Sequence, residues 1–218
     1  MGRSTFRDRV DAGAALAECL ADRRGNPDLI VLGLPRGGVP VAAVVASALD
    51  APLDICVVRK LGAPGHAELA IGAVASGEIT VRNEQIIEQL RIRPEVFDEV
   101  RRRELAEVAR REQSLRGGRP PLDVAGKDVV VVDDGLATGA TMTAAVRSIG
   151  QRRARTVTVA VPVGAAASVV RMKEIADDVV CAVVPDRFGA VGSHYLDFTQ
   201  TSDEEVRRLL DPRRSYDT

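Results

Sequence analysis

Asp133 and Asp134 stand side by side at the end of a run of four valines, and GLATGAT follows at residues 135–141. Adjacent carboxylates accept hydrogen bonds from sugar hydroxyls or from the water of a hydrated cation. Gly135 and Gly139 permit close backbone approach and positive φ. A helix expected to start near Ala140 would aim its first N–H groups at an anion, with the Thr138 and Thr141 hydroxyls as further donors. Acceptors and donors side by side match the groups of a ribose 5-phosphate. A plain strand end with an Asp N-cap and an ordinary αβ turn is the structural alternative. Two acids and four small or hydroxyl residues in a fixed order go beyond what that turn requires.

Three other stretches carry chemistry. GLPRGGVP (33–40) places Arg36, Gly37 and Gly38 between an apolar run and a helix-like run. VVRKLG (57–62) brings Arg59 and Lys60 to a strand end, where they would also serve as snorkelling surface cations. VPDRFGAVGSHYLDF (184–198) holds Phe188 and Asp197 near the C-terminus. His66 falls in a Gly/Pro-punctuated stretch and reads as an exposed loop histidine.

The elements that must position these residues follow from periodicity. LIVLGL (29–34), DICVVRK (54–60), the valine run, TVTVAVPV (156–163) and DVVCAVVP (178–185) are short apolar runs typical of strands buried on both faces. Helices are expected over 6–23, 39–49, 93–115, 165–176 and 202–210. Pro94 suits a first helical turn, and Ser202 with Glu205 forms a capping box. LGAPGHAE (61–68) reads as a loop, and LAIGAVASGEITV (69–81) as two short strands around a Ser-Gly turn. Strands alternating with helices predict an α/β fold with a mainly parallel central sheet flanked by helices. In such sheets ligands bind beyond the carboxyl ends of the strands, where the acids lie. No repeat or interdomain linker interrupts the chain. The expectation is a single domain over 1–218, with a core over about 25–185 and a small hood from about 185–218, joined by the N-terminal helix.

Composition sets limits. Apolar residues are 45% of the 218, aromatics 3%, and Trp is absent, so Val, Ala, Leu and Ile must fill the core. Thirty Lys+Arg nearly balance 31 Asp+Glu, which gives no footprint for general nucleic-acid binding. The arginines around 101–111 alternate with glutamates and read as a solvated helix face. Cys56 and Cys181 lie in apolar runs and read as reduced core residues. No apolar run reaches membrane-spanning length, and charges interrupt the N-terminus where a signal peptide needs an apolar segment. The expectation is a cytoplasmic protein with no membrane partner.

VVVVDDGLATGAT resembles the phosphoribosyl-diphosphate (PRPP) binding motif of the type I phosphoribosyltransferases. One position departs: Gly135 stands where that family usually has Leu, Ile, Val, Met or Ser. The resemblance implies that Asp133 and Asp134 contact the ribose 2′ and 3′ hydroxyls. It implies that Ala137, Thr138, Gly139, Ala140 and Thr141 wrap the 5-phosphate. Arg36, Gly37 and Gly38 match the family's diphosphate loop. Arg59 and Lys60 match a diphosphate-binding, catalytic pair of purine-type relatives. VPDRF resembles the base hood of hypoxanthine–guanine enzymes, which would stack Phe188 on a planar base and give Asp197 an indirect role toward metal–diphosphate. Two extra residues separate Phe188 from Asp197 relative to that pattern.

Residues 61–77 lie where the family carries a flexible lid, but lack the Ser-Tyr pair of several relatives. Ala137 stands where 6-oxopurine enzymes commonly carry Asp, as the adenine and orotate enzymes also have it. The implied reaction is Mg²⁺-dependent attack of a nitrogenous base or amine on C1 of PRPP, in a homodimer. A non-catalytic PRPP or nucleotide sensor retaining the fold is the alternative, and hydrolytic release of diphosphate is a third reading.

Overall fold

The computed structural model describes residues 5–211, the side chains of 67 and 68 excepted. Five parallel strands form the central sheet: β1 (Leu29–Gly33), β2 (Leu53–Ile55), β6 (Asp128–Val132), β7 (Thr156–Val163) and β8 (Asp178–Val183). Their order is β2-β1-β6-β7-β8. Residues of β6 pair in register with β1 (Val130 with Val31) and with β7 (Val130 with Thr158). The middle strand therefore delivers its carboxyl end between two neighbours.

Strand residues alternate between faces, and the core follows that alternation. Val130 and Val132 pack with Leu16, Val41, Val45 and Leu49, from helices α1 (Arg9–Cys19) and α2 (Gly38–Leu49). Val129 and Val131 pack on the other side with Met142, Val146, Ile149 and Met172, from α5 (Ala140–Gln151) and α6 (Ala166–Met172). The aliphatic composition thus fills both layers. Cys56 lies inside the core, where burial pushes its thiol up to about 12, so it stays protonated and inert.

A second, antiparallel sheet has the order β3-β4-β5, with strands Val58–Ala63, His66–Ala75 and Ile79–Arg82. The expected strand over 54–60 is therefore two strands in different sheets, broken at Cys56 and Val57. The expected loop over 61–68 is a hairpin. Ala63 pairs with His66 across Pro64 and Gly65, and Gly65 supplies a φ of 75°, the geometry Pro-Gly favours. The stretch aligned with a lid is thus largely strand.

Helix α3 (Glu84–Gln89) and helix α4 (Pro94–Arg116) follow. Pro94 opens α4, and Gly117 ends it in the left-handed region at φ 61°. Phe97, Val100, Val108 and Leu115 of α4 cover Leu61, Ile71 and Val74 of the antiparallel sheet. The opposite edge of α4 carries Arg110–Glu107 and Arg101–Asp98 pairs, as the charge pattern suggests. One arginine departs from that pattern: Arg116 is 5% exposed, bonded to Asp54, Glu112 and the Ile55 carbonyl.

Helix α7 (Asp203–Leu209) begins at Ser202, whose hydroxyl accepts from the Glu205 N–H. Among the described residues, no helix is long and apolar enough to cross a membrane.

Gly150 sits exposed in the last turn of α5, and a Cβ there would meet nothing within 4 Å. Gly150→Ala should therefore stabilise the fold by about 0.5–1 kcal/mol through lost unfolded-state freedom. A melting scan should show a rise of about 2–4 °C per kcal/mol.

Candidate active site

The carboxyl ends of β1 and β6 are stitched together by the Leu34 N–H, which donates to the Val132 carbonyl at 2.9 Å. The PRGG loop leaves β1 there, with a cis Pro35–Arg36 peptide. It runs directly beneath the acid pair. A Cβ on Gly37 would collide with Asp134 Oδ2, and one on Gly38 would lie 2.7 Å from the Val132 carbonyl and 2.8 Å from Asp133 Cα. Both glycines are thus required by contact with the acids, which links two motifs about 100 residues apart in sequence. Arg36 stands at the rim, 3.5 Å from Asp203 Oδ1.

Each acid has one oxygen held internally. Asp133 Oδ1 accepts from the Asp134 N–H at 2.9 Å. Asp134 Oδ2 accepts from Arg9 Nε at 2.9 Å and Nη2 at 2.8 Å. Asp133 Oδ2 and Asp134 Oδ1 remain as the acceptors among the described residues. Desolvation, then the charge of Asp134, raises the Asp133 carboxyl well above its ordinary 3.8. Desolvation also raises Asp134, and Arg9 opposes it.

The loop beyond the acids is braced from β7 and α6. Leu136 is buried, donates its N–H to the Val163 carbonyl at 2.9 Å and accepts from the Ala165 N–H at 2.9 Å. Ser168 Oγ donates to the Ala137 carbonyl at 2.5 Å. Arg171 donates to Ser168 Oγ and to the Thr138 carbonyl. Gly139 caps α5 with a φ of 77°. Ala137, Thr138, Ala140 and Thr141 are exposed around it, so the first N–H groups of α5 open outward, a geometry that can receive an anion.

The C-terminal segment closes over the pair. Tyr195 Oη donates to the Asp134 carbonyl at 2.6 Å. Val191 presses on Gly135, where a Cβ would come within 2.5 Å of Val191 Cγ1. The small residue at 135 thus makes room for Val191. Phe188 is half-buried and stacks on His194, with centroids 5.5 Å apart. Asp197 is exposed and takes both the N–H and the hydroxyl of Thr199, which holds its carboxyl below the usual range. Arg9, Ser168, Arg171, Val191 and Tyr195 were not singled out by motif; all act through tertiary contact.

Arg59 and Lys60 lie on β3, which is separated by two residues from the carboxyl end of the edge strand β2. The Arg59 guanidinium is committed to Glu104 of α4 at 2.6 Å. Arg59, Arg103, Glu104, Ala106, Glu107 and Arg110 line an open cavity of about 380 Å³. The structure thus brings together Asp133, Asp134, Gly37 and Gly38, with Gly139 continuing the same loop, whereas Arg59 faces α4.

The model of the phosphoribosyl transferase domain matches residues 7–199. The chain belongs to the phosphoribosyl transferase family. Phosphoribosyl transferase is also the provisional name of a Mycobacterium tuberculosis protein, found in strains CDC 1551 / Oshkosh and H37Rv, that is 47% identical over 206 residues. That alignment covers 94% of this chain and 46% of the relative, so the chain spans about half the length of the curated relatives it matches. The crystal structure of TT1426 from Thermus thermophilus is 44% identical, with a TM-score of 0.84 over 94% of this chain and 97% of that one. The α/β architecture, a parallel sheet flanked by helices with a small antiparallel sheet, is thus a phosphoribosyl transferase fold.

Proposed function

We propose that this site binds PRPP and transfers its ribose 5-phosphate to a nitrogenous base or amine, with release of diphosphate. The observation that carries the reading is the acid pair. One oxygen of each carboxylate is held within the protein and the other is left to accept, on a loop that continues into the helix-end cradle around Gly139. Two such acceptors suit a vicinal diol, and the cradle suits the 5-phosphate.

In the proposed reaction the acceptor nitrogen forms a bond to C1 as the C1–O bond to diphosphate breaks. The bonding pair leaves on the diphosphate oxygen, and the acceptor nitrogen gives up a proton. The acid pair holds the sugar while positive charge develops at C1, a positioning and electrostatic role. The Arg36 side chain and the N–H groups of Arg36 and Gly37 face the departing diphosphate in this reading, the Gly38 N–H being held by the Leu34 carbonyl, and Phe188 stacks on the base.

Among the described residues there is no cluster of three or more His, Cys, Asp or Glu that would hold a metal. That donor set fits Mg²⁺ carried on the diphosphate and its waters, since Mg²⁺ is commonly held by one or two carboxylates plus substrate phosphates. Asp133 and Asp134 would receive its waters; Asp197 is the more distant candidate. Mg²⁺ there would neutralise charge building on the leaving group. Arg59 and Lys60 would assist only if Arg59 left Glu104. That ion pair is the observation favouring the second reading, a PRPP or nucleotide sensor without turnover.

PRPP binding measured with Mg²⁺, followed by turnover assays across a panel of bases and amines, tests both readings. Turnover with one acceptor supports transfer, binding without turnover supports the sensor, and no PRPP binding overturns transfer and leaves only a nucleotide sensor. Ala137 carries the acceptor prediction. Its methyl group cannot exchange a proton with a purine ring nitrogen. Hypoxanthine and guanine should therefore turn over well below about 1 s⁻¹, an ordinary enzymatic rate, in steady-state assays.

A further inference from the structure

We propose that Arg9, the first residue of α1, is a positioning residue that aims Asp134 at the sugar diol; this rests on the PRPP reading above. Arg9 lies outside every motif of the sequence, yet its guanidinium is built into the site on all sides. Nε and Nη2 both donate to Asp134 Oδ2. Nη1 donates to the Thr199 carbonyl at 2.8 Å. The group lies 4.1 Å from the centroid of the Phe198 ring. The side chains of the pair are 11% and 15% exposed. Asp8 caps α1 by accepting from the Asp11 N–H, which fixes where Arg9 emerges.

The fork has a direction. It takes Oδ2, the oxygen that faces the bare Cα of Gly37, and so leaves Oδ1 as the acceptor for a hydroxyl. Without Arg9, Asp134 would keep its backbone ties to Tyr195 and Asp133, but its carboxyl group would lose the two side-chain bonds that orient it. Lysine would restore the charge but not two directed bonds, a third to Thr199 and a planar stack on Phe198 at once. Arg9 therefore ties the acid pair to the strap of residues 195–199 as well as aiming it.

Equilibrium binding of ribose 5-phosphate and 2-deoxyribose 5-phosphate to the full chain, Arg9→Gln and Arg9→Lys tests this. The wild type should prefer ribose 5-phosphate. Arg9→Gln should weaken ribose 5-phosphate by about tenfold or more, the worth of a hydrogen bond to a charged group. It should leave 2-deoxyribose 5-phosphate less affected, so that the preference collapses. Arg9→Lys should fall between, and it provides the readout if Arg9→Gln does not fold. A variant that weakens both sugars equally and keeps the preference overturns the positioning role. A wild type that binds neither sugar, or binds both alike, overturns the PRPP reading itself, an outcome visible without any variant.

Discussion

Replacing Asp133 and Asp134 together with Asn should reduce PRPP affinity by roughly 100-fold, since two hydrogen bonds to charged acceptors are lost. The single variants should agree in binding and disagree in stability. Asp133 is desolvated and faces the charge of Asp134, so its folded carboxyl titrates above the ordinary 3.8. A raised carboxyl costs the folded state stability as pH rises from that value through its own titration. Asp133→Asn removes the cost, so its melting temperature should exceed the wild type at pH 7. The advantage should shrink as pH falls toward 3.8. Asp134→Asn should lack that gain, because Arg9 opposes the rise of its carboxyl and the mostly buried guanidinium would be left facing a neutral amide. Calorimetric binding and thermal melts across pH check both halves. Unchanged PRPP affinity in the double variant would remove the acids from the site.

The second large effect is expected at Gly139. A Cβ there meets at closest the flexible end of Met172, at 3.3 Å, so space alone does not forbid a side chain. The φ of 77° does: a β-branched residue in the left-handed region costs about 1–2 kcal/mol or more. The loop can escape that strain only by turning its N–H groups away from the phosphate. Gly139→Val should therefore lose phosphate binding by roughly 100-fold, the worth of two charge-assisted bonds, while its melting temperature drops only a few degrees. Inorganic phosphate titration beside a thermal melt separates the two. Global unfolding of the variant would show that Gly139 serves the fold instead.

Much of this was legible locally. A run of buried valines must lie between two covered faces, and the acids at its end must then reach the ligand edge of a parallel sheet. Pro94 marked the start of α4, and Ser202 that of α7, because caps are written within a few residues of the helix. The hairpin at 63–66 was not legible. Its strands are built from Gly, Ala and Glu among few β-branched residues, so the propensity signal is weak and the Pro-Gly turn looks like a loop. Nor could spacing announce Arg9, Ser168 or Arg171. Their partners lie 125, 31 and 33 residues away, and an exposed arginine on a helix looks the same in sequence as one that grips a carboxylate.

Gly135 and Val191 constrain each other in any redesign of the site. The space beside the backbone at 135 is filled by Val191. The two positions share one volume, so neither can change size alone without a clash or a void. A larger residue at 135 would collide with Val191 until that residue shrank. Gly135 is thus half of a matched pair, its other half lying 56 positions away in the sequence.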